Sequence, residues 1–239
     1  IAPKFSDPYS YGQGTNWQDE VFNNNAPMMN HQVSVSGASE KVNYLFSLGF
    51  YTQDGIVGGN FDRSNYERLT LRSNTQYTLF DESKERNWLN SLKVTSNLSY
   101  ARIKSTNFDD NSTWGTPLGS ALALSPILNV YDETEEAIKA QFDKYGTTAE
   151  YTPVYDPRNG KLFSIPGEFG EMSNPIAKLS LPGDKHWSHK FVANFSAELQ
   201  LWDNLKFKTS YGADLSFWGN DGYTPLYYLR SGGASSRST

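Results

Sequence analysis

Glu40–Leu79, EKVNYLFSLGFYTQDGIVGGNFDRSNYERLTLRSNTQYTL, is the stretch from which the fold is read. In its first half Val42, Tyr44, Phe46, Leu48 and Phe50 share one parity, and Lys41, Asn43, Leu45, Ser47 and Gly49 share the other. In its second half Leu69, Leu71, Tyr77 and Leu79 oppose Arg68, Thr70, Arg72, Asn74, Gln76 and Thr78. Successive strand residues point to opposite faces, so each half is predicted as a strand with one apolar and one polar face. The Gly-rich connection 53–64 joins them as a long hairpin. What the hairpin does depends on whether its apolar face meets a protein core or lipid.

The same pattern recurs along the chain. A strand is expected at about 28–36 and a fourth at about 88–103, where Leu92, Val94, Leu98 and Tyr100 oppose Lys93, Thr95, Asn97 and Ser99. Alternation returns at 187–202 and 205–218, and a seventh strand near 223–230 has no clear parity. Residues 1–27 read as loop, with a surface helical turn capped by Thr15 and carrying Trp17, Val21 and Phe22. Between 105 and 186 the pattern stops. That length without structure is implausible in a compact domain, and one helix is readable near 133–145, capped by Asp132 and Glu135 and stopped by Gly146. Pro117, Pro126, Pro153, Pro157, Pro166, Pro175 and Pro182 otherwise suggest loop, with a turn at Asp156-Pro157-Arg158-Asn159-Gly160.

Composition restricts the function. Aromatic residues make up 15% of the chain while mean hydropathy is −0.61, as expected of strands bulky on one face. No more than four apolar residues run together, which excludes a transmembrane helix but not a transmembrane barrel, whose strands alternate. The absence of Cys excludes disulfides and thiolate sites, and a net charge of −5 gives no reason to expect nucleic acid. There is no initiator Met and no signal peptide, so a mature or excised piece is expected.

Two patterns distinguish lipid from core. The connections alternate short (37–39, 81–87, 203–204) and long (53–64, 105–186), as in barrels with short periplasmic turns and long outer loops. Trp88, Trp187, Trp202 and Trp218, with Tyr51, Tyr77 and Tyr100, sit near strand ends, where an interfacial girdle places amphipathic rings. The alternative is a soluble antiparallel sandwich or solenoid, a secreted glycan-binding module. Strands such as 65–79 and 88–103 exceed the usual length of about five or six residues and suit tilted barrel strands. The expectation is an all-β fold of antiparallel up-and-down strands from a large transmembrane β-barrel.

Particular residues also resemble a known family. Thr15-Asn16-Trp17-Gln18-Asp19-Glu20-Val21-Phe22, Ala26-Pro27-Met28-Met29-Asn30-His31, Val33-Ser34-Val35-Ser36-Gly37 and Ser39-Glu40-Lys41-Val42-Asn43-Tyr44 closely resemble the early barrel of SusC/RagA-type TonB-linked outer-membrane transporters. So do Ser47-Leu48-Gly49-Phe50-Tyr51-Thr52-Gln53-Asp54-Gly55-Ile56-Val57, Phe61-Asp62-Arg63 and Tyr66-Glu67-Arg68. Beyond residue 105 the resemblance is one of layout. It implies a large barrel with a plug domain, a SusD-like surface lipoprotein as lid, and TonB-powered import of oligosaccharides or, in some members, peptides. No plug segment, TonB-binding box or full strand set is found, so the chain is expected to be a fragment of the barrel. The implied organisation is an extracellular segment at 1–27, four strands over 28–104, a long extracellular loop over 105–186, two or three strands over 187–230 and a flexible tail at 231–239.

Candidate contacts for an oligosaccharide or the lid are Asp109, Asp110, Asn111, Trp114, Tyr155 and Phe163 in the long outer segment. Aromatic faces and carboxylate or amide edges suit sugars, while packing of Trp114 and Phe163 in the segment's own small core is the alternative. Arg68, Arg72, Asn74, Lys93, Asn97, Lys190 and Glu198 lie on polar faces that would line the lumen, with Lys206, Lys208 and Asp214. His186 and His189 lack a third ligand, so no metal is expected. Asp109-Asp110-Asn111 and Asp156-Asn159-Gly160 resemble pieces of Ca²⁺ loops without the ligand series. Glu133, Glu135 and Glu136 fit a helix start rather than an opposed acid pair, and no phosphate loop or catalytic triad signature is present. No catalysis and no cofactor are expected.

Overall fold

The structure is a computed structural model that describes residues 7, 9, 12–80, 88–108, 115–131, 134–144, 151–166, 172–230 and 233–234. Six long strands form one sheet: β1 (Met28–Ala38), β2 (Val42–Asp54), β3 (Asn65–Phe80), β4 (Ser91–Asn107), β5 (Asp184–Trp202) and β6 (Leu205–Asp221). Each pairs antiparallel with the next in sequence, giving an open meander with β1 and β6 at its edges. Among the described residues four short helices, α1 (Trp17–Val21), α2 (Pro117–Ala123), α3 (Glu135–Lys144) and α4 (Pro175–Ser180), lie outside it.

The registers place one parity of every strand on a single face. Val33, Leu48, Leu71, Tyr100, Phe191 and Leu215 are neighbours across all six strands. The next register toward the short turns is Val35, Phe46, Ser73, Leu98, Ala193 and Ala213. Among the described residues no helix or second sheet packs on this face, and Val33 and Leu215 remain 66% and 53% exposed. A sandwich core would bury them. The face is uncovered among these residues and the sheet is not closed, as in part of a barrel of antiparallel up-and-down strands.

The buried apolar side chains lie instead beyond one end of the sheet. Trp17, Val21, Ala121, Leu124, Phe163, Met172, Ile176, Ala177, Leu179 and Leu229 form one cluster. Ile138, Leu162, Ile165 and Tyr228 form a second, against which Phe142 and Tyr151 pack. These residues come from the N-terminal segment, the long β4–β5 connection and the stretch after β6, while Phe61 of the β2–β3 connection packs on the first cluster. The long connections are thus one folded cap. At the opposite end β5 and β6 are joined by Asp203-Asn204 alone.

Several local expectations change. α1 is capped by Asn16, whose Oδ1 accepts from the Asp19 amide, rather than by Thr15. It is also a core element, since Trp17 and Val21 are 3% and 0% exposed. α2 and α4 occupy stretches read as proline-rich loop: Pro117 and Pro175 are first-turn residues, with Thr116 and Asn174 as caps. α3 occupies the expected helical stretch and turns Ile138 inward, while Asp132 and Gly146 fall outside the described residues. The stretch near 223–230 joins the cap rather than the wall; β7 (Tyr228–Arg230) pairs with β8 (Gly233–Ala234) alone, and the Tyr228 amide donates to the Thr152 carbonyl at 2.8 Å.

The aromatic girdle is also redrawn. Tyr51 and Trp218 belong to the polar parity and Tyr100 lies in mid-strand, so none of the three marks an edge of the apolar band. On the apolar face Trp187 stands at the cap end and Tyr44, Tyr77 and Tyr211 toward the turns. Two of these rings lie over glycine. A Cβ at Gly37 would come within 2.6 Å of Tyr44, and one at Gly219 within 2.7 Å of Trp187. Glycine on the neighbouring strand lets each ring lie close to the backbone.

Candidate functional site

Two surfaces present polar groups: the second face of the sheet and the cap. The sheet registers bring together Arg68, Arg72, Asn74, Lys93, Asn97, Lys190 and Glu198 on one face, with Lys206, Lys208 and Asp214. Asn74 and Asn97 are direct cross-strand partners, as are Lys93 and Glu198. Lys190 pairs with Asp214 at 3.4 Å, both largely exposed. The charge balance on this face is cationic: Arg68, Arg72, Lys93, Lys190, Lys206 and Lys208 stand against Asp184, Glu198 and Asp214.

Near the cap end of this face Tyr51 organises a cluster. Its hydroxyl donates to Gln53 Oε1 at 2.6 Å, the Arg68 guanidinium lies 5.6 Å from its ring centre, and Tyr66 meets it edge-on at 5.9 Å. Arg68, Thr70, Arg72, Asn30 and Gln32 border a cleft of about 110 Å³ here. Pockets that enclose small ligands run to roughly 300–1,000 Å³, so this cleft is a dent in a wall and not a binding pocket. A larger cleft, about 510 Å³, lies on the other face and is lined by Val33, Val35, Phe46, Leu48, Leu71 and Phe191. Its lining suits hydrocarbon rather than a polar solute.

In the cap the Asp156-Pro157-Arg158-Asn159-Gly160 turn forms as expected, with the Gly160 amide donating to the Asp156 carbonyl at 2.8 Å. Its chemistry is different from a cation loop. Asp156 is 0% exposed, and its carboxylate is satisfied by Arg158 Nη2 at 2.7 Å, the Arg158 amide at 2.8 Å and the Tyr131 hydroxyl at 2.7 Å. Burial alone would raise this carboxyl, but those donors outweigh it and hold the group down at about 2. Arg158 also donates to the Gly59 carbonyl at 2.9 Å and lies 3.9 Å from the Phe61 ring centre. One ion pair thus fastens the β4–β5 connection to the β2–β3 connection. Sequence reasoning missed it because Asp and Arg two apart in a turn ordinarily face water.

The expected outer-loop contacts separate. Phe163 is 1% exposed and stacks on Tyr131 with ring centres 5.4 Å apart, so it packs the cap's core and does not meet a solute. Tyr155 is 46% exposed, and its hydroxyl donates to Glu135 Oε2 at 2.8 Å. Asp109, Asp110, Asn111 and Trp114 fall outside the described residues. Burial of Tyr151 among Tyr228 and Phe142, with Glu135 nearby, pushes its phenol up to about 12, so it stays neutral. His186 and His189 are on opposite faces of the sheet, and no group of three metal-ligating side chains occurs among the described residues. No described helix is long and apolar enough to cross a membrane.

No family model matches the chain. It is similar to the TonB-dependent receptor SusC of Bacteroides thetaiotaomicron, at 29% identity over 190 residues covering 77% of this chain and 16% of that protein. It is also similar to the TonB-dependent receptor P3 of Formosa agariphila, at 26% identity over 206 residues covering 85% of this chain and 17% of that protein. Among solved structures, the RagAB peptide transporter matches with a TM-score of 0.56 and 21% identity, over 87% of this chain and 19% of that one. A RagAB peptide importer in the open-open state matches with a TM-score of 0.54 and 21% identity, over 86% and 19%. The chain spans about a sixth of the length of these curated relatives. It is SusC-like in sequence, and its open sheet has the fold of part of a TonB-dependent transporter barrel. The relatives are named as receptors and transporters, not as enzymes.

Proposed function

We propose that this chain is a stretch of wall and outer cap of a TonB-dependent outer-membrane transporter that imports oligosaccharides or peptides beneath a SusD-like surface lipoprotein. The observation that carries the reading is the uncovered apolar face, continuous across six strands and bounded at one end only by a folded cap. From the His189 register to the Leu199 register is ten residues, or about 33 Å of strand, which at a tilt of ~40° gives an apolar band about 25 Å tall. That matches the lipid-facing band of outer-membrane barrels. The bilayer is then the partner of this face and the cap stands outside the cell.

On this reading Arg68, Arg72, Asn74, Lys93, Asn97, Lys190 and Glu198 face the lumen, where they meet the plug or a passing solute. Asp109, Asp110, Asn111, Trp114 and Tyr155 are the candidates in the long connection for contact with solute or lid; the exposed ring of Tyr155 supports its place among them. The similarity to structures of a peptide importer supports peptides as the solute, and the similarity to SusC supports a TonB-coupled route.

The test is fractionation and uptake with the full-length protein. The product should partition with outer membranes, require detergent for extraction and lose uptake when TonB is removed. A full-length product that is soluble, monomeric and folded without detergent would overturn the proposal. Unchanged uptake after Trp114→Ala with Tyr155→Ala would remove the cap contacts but leave the wall reading intact.

A further inference from the structure

We infer that the solute is a peptide with a free C-terminus, and that Arg68 and Arg72 on the polar face hold its terminal carboxylate as it passes. This rests on the import reading above and narrows its solute. The two arginines are exposed and stand four residues apart on β3, about 13 Å along the strand. Both border the cleft of about 110 Å³, with Asn30, Gln32, Gly49 and Thr70. The register between them runs through Gly49, Thr70 and Ala101, so small side chains leave a notch between the two guanidinium groups. A Cβ at Gly49 would meet nothing closer than the Thr70 Cβ at 3.9 Å, so the notch is open.

Charge on this part of the wall is one-sided. The polar parity of β1 to β4 contains Arg68, Arg72 and Lys93 but no carboxylate. Glu67, next along β3, has the opposite parity. Asp214 shares the register of Arg72 but lies three strands away on β6, where it pairs with Lys190 at 3.4 Å. Neither arginine has a carboxylate partner among the described residues. Arg68 is also oriented: its guanidinium lies 5.6 Å from the centre of the Tyr51 ring, and Tyr51 is itself held by its hydrogen bond to Gln53 and by the edge of Tyr66. A guanidinium resting on a ring keeps its N–H edge for another partner.

Two guanidinium forks without counter-charge complement the two oxygens of one carboxylate. The cleft is too small to enclose a solute but admits such a group. The two registers nearer the short turns, through Asn74, Asn97 and Asn194 and through Gln76, Thr95 and Ser196, carry no charged residue. A chain of acidic sugars bears charge on successive units and would need cations repeated down the wall. A single station suits a solute charged at one end. The C-terminal carboxylate is also the anionic group that peptides share whatever their side chains, so one fixed pair of arginines can serve a varied cargo.

The experiment compares uptake, by cells carrying the full-length transporter, of an N-acetylated Gly/Ser/Asn peptide as its free acid and as its C-terminal amide. The free acid should enter about tenfold faster at low concentration. Arg68→Gln with Arg72→Gln should bring the free acid down to the rate of the amide; if the double variant fails to assemble, each single variant should narrow the difference. No preference in the parent, or a preference that survives in the variants, overturns the inference while leaving the import reading in place. Arginine-dependent uptake of a uronate oligosaccharide, with the free acid insensitive to both substitutions, overturns the choice of peptide. Entry of neither peptide form overturns peptides as the solute and this inference with them.

Discussion

Asp156 sets the cost of burying a carboxylate against the gain from pairing it. The group is inaccessible, yet it titrates at about 2 against an ordinary 3.8, so its three donors more than repay desolvation. A folded value below the unfolded one contributes stability that is complete above about pH 4 and is lost as pH falls toward 2. The shift corresponds to roughly 2 kcal/mol. Limited proteolysis of the cap in the full-length protein should therefore accelerate below about pH 4 while the sheet stays protected. Asp156→Asn should give fast cleavage at neutral pH, lose this acid step and weaken the cap by about 2–3 kcal/mol, because Arg158 and Tyr131 then face a neutral amide. An Asp156→Asn cap as resistant as the parent at pH 7 would show that the ion pair does not hold the connections together.

At the scale of elements, wall and cap have different sources of stability. The wall's strands were legible because alternation encodes both faces: Val42 to Phe50 and Leu69 to Tyr77 give the parity of the pairing. The cap was not. α2 and α4 are seven and six residues long, too short to express a 3.6-residue period, and their capping Thr116 and Asn174 precede prolines that also suit loops. The missed signal was the cap–proline pair itself. Burial of Trp17 was equally hidden, since the cluster it joins draws on α2, α4 and Leu229 beyond β6. The two parts should respond separately to substitution. Phe163→Ala should cost the cap about 3–5 kcal/mol and leave barrel assembly intact. Leu48→Lys on the apolar face should cost the wall about 2–4 kcal/mol, whereas Thr70→Lys on the opposite face should be nearly neutral. Denaturant titration of the full-length protein, followed by cap proteolysis and by heat-modifiable gel mobility, separates the two effects.

For the whole molecule the unpaired sides of β1 and β6 matter most. Backbone groups left open in hydrocarbon cost several kcal/mol each, so within a bilayer both edges must continue into other strands. The six strands are consistent with a segment of wall, and the relatives of which the chain covers about a sixth are long enough to supply the remainder. The resemblance to these transporters was legible in the collinear motifs up to Arg68, while the packing of the cap was not, because its clusters join segments far apart in sequence. Which face meets lipid is tested by collision accessibility of spin labels placed singly at 68 to 73 along β3, in the full-length protein in nanodiscs. Labels at 69, 71 and 73 should favour lipid-soluble oxygen and those at 68, 70 and 72 an aqueous nickel reagent, alternating with a period of two. Equal nickel access at both parities, or the opposite alternation, would contradict the membrane wall.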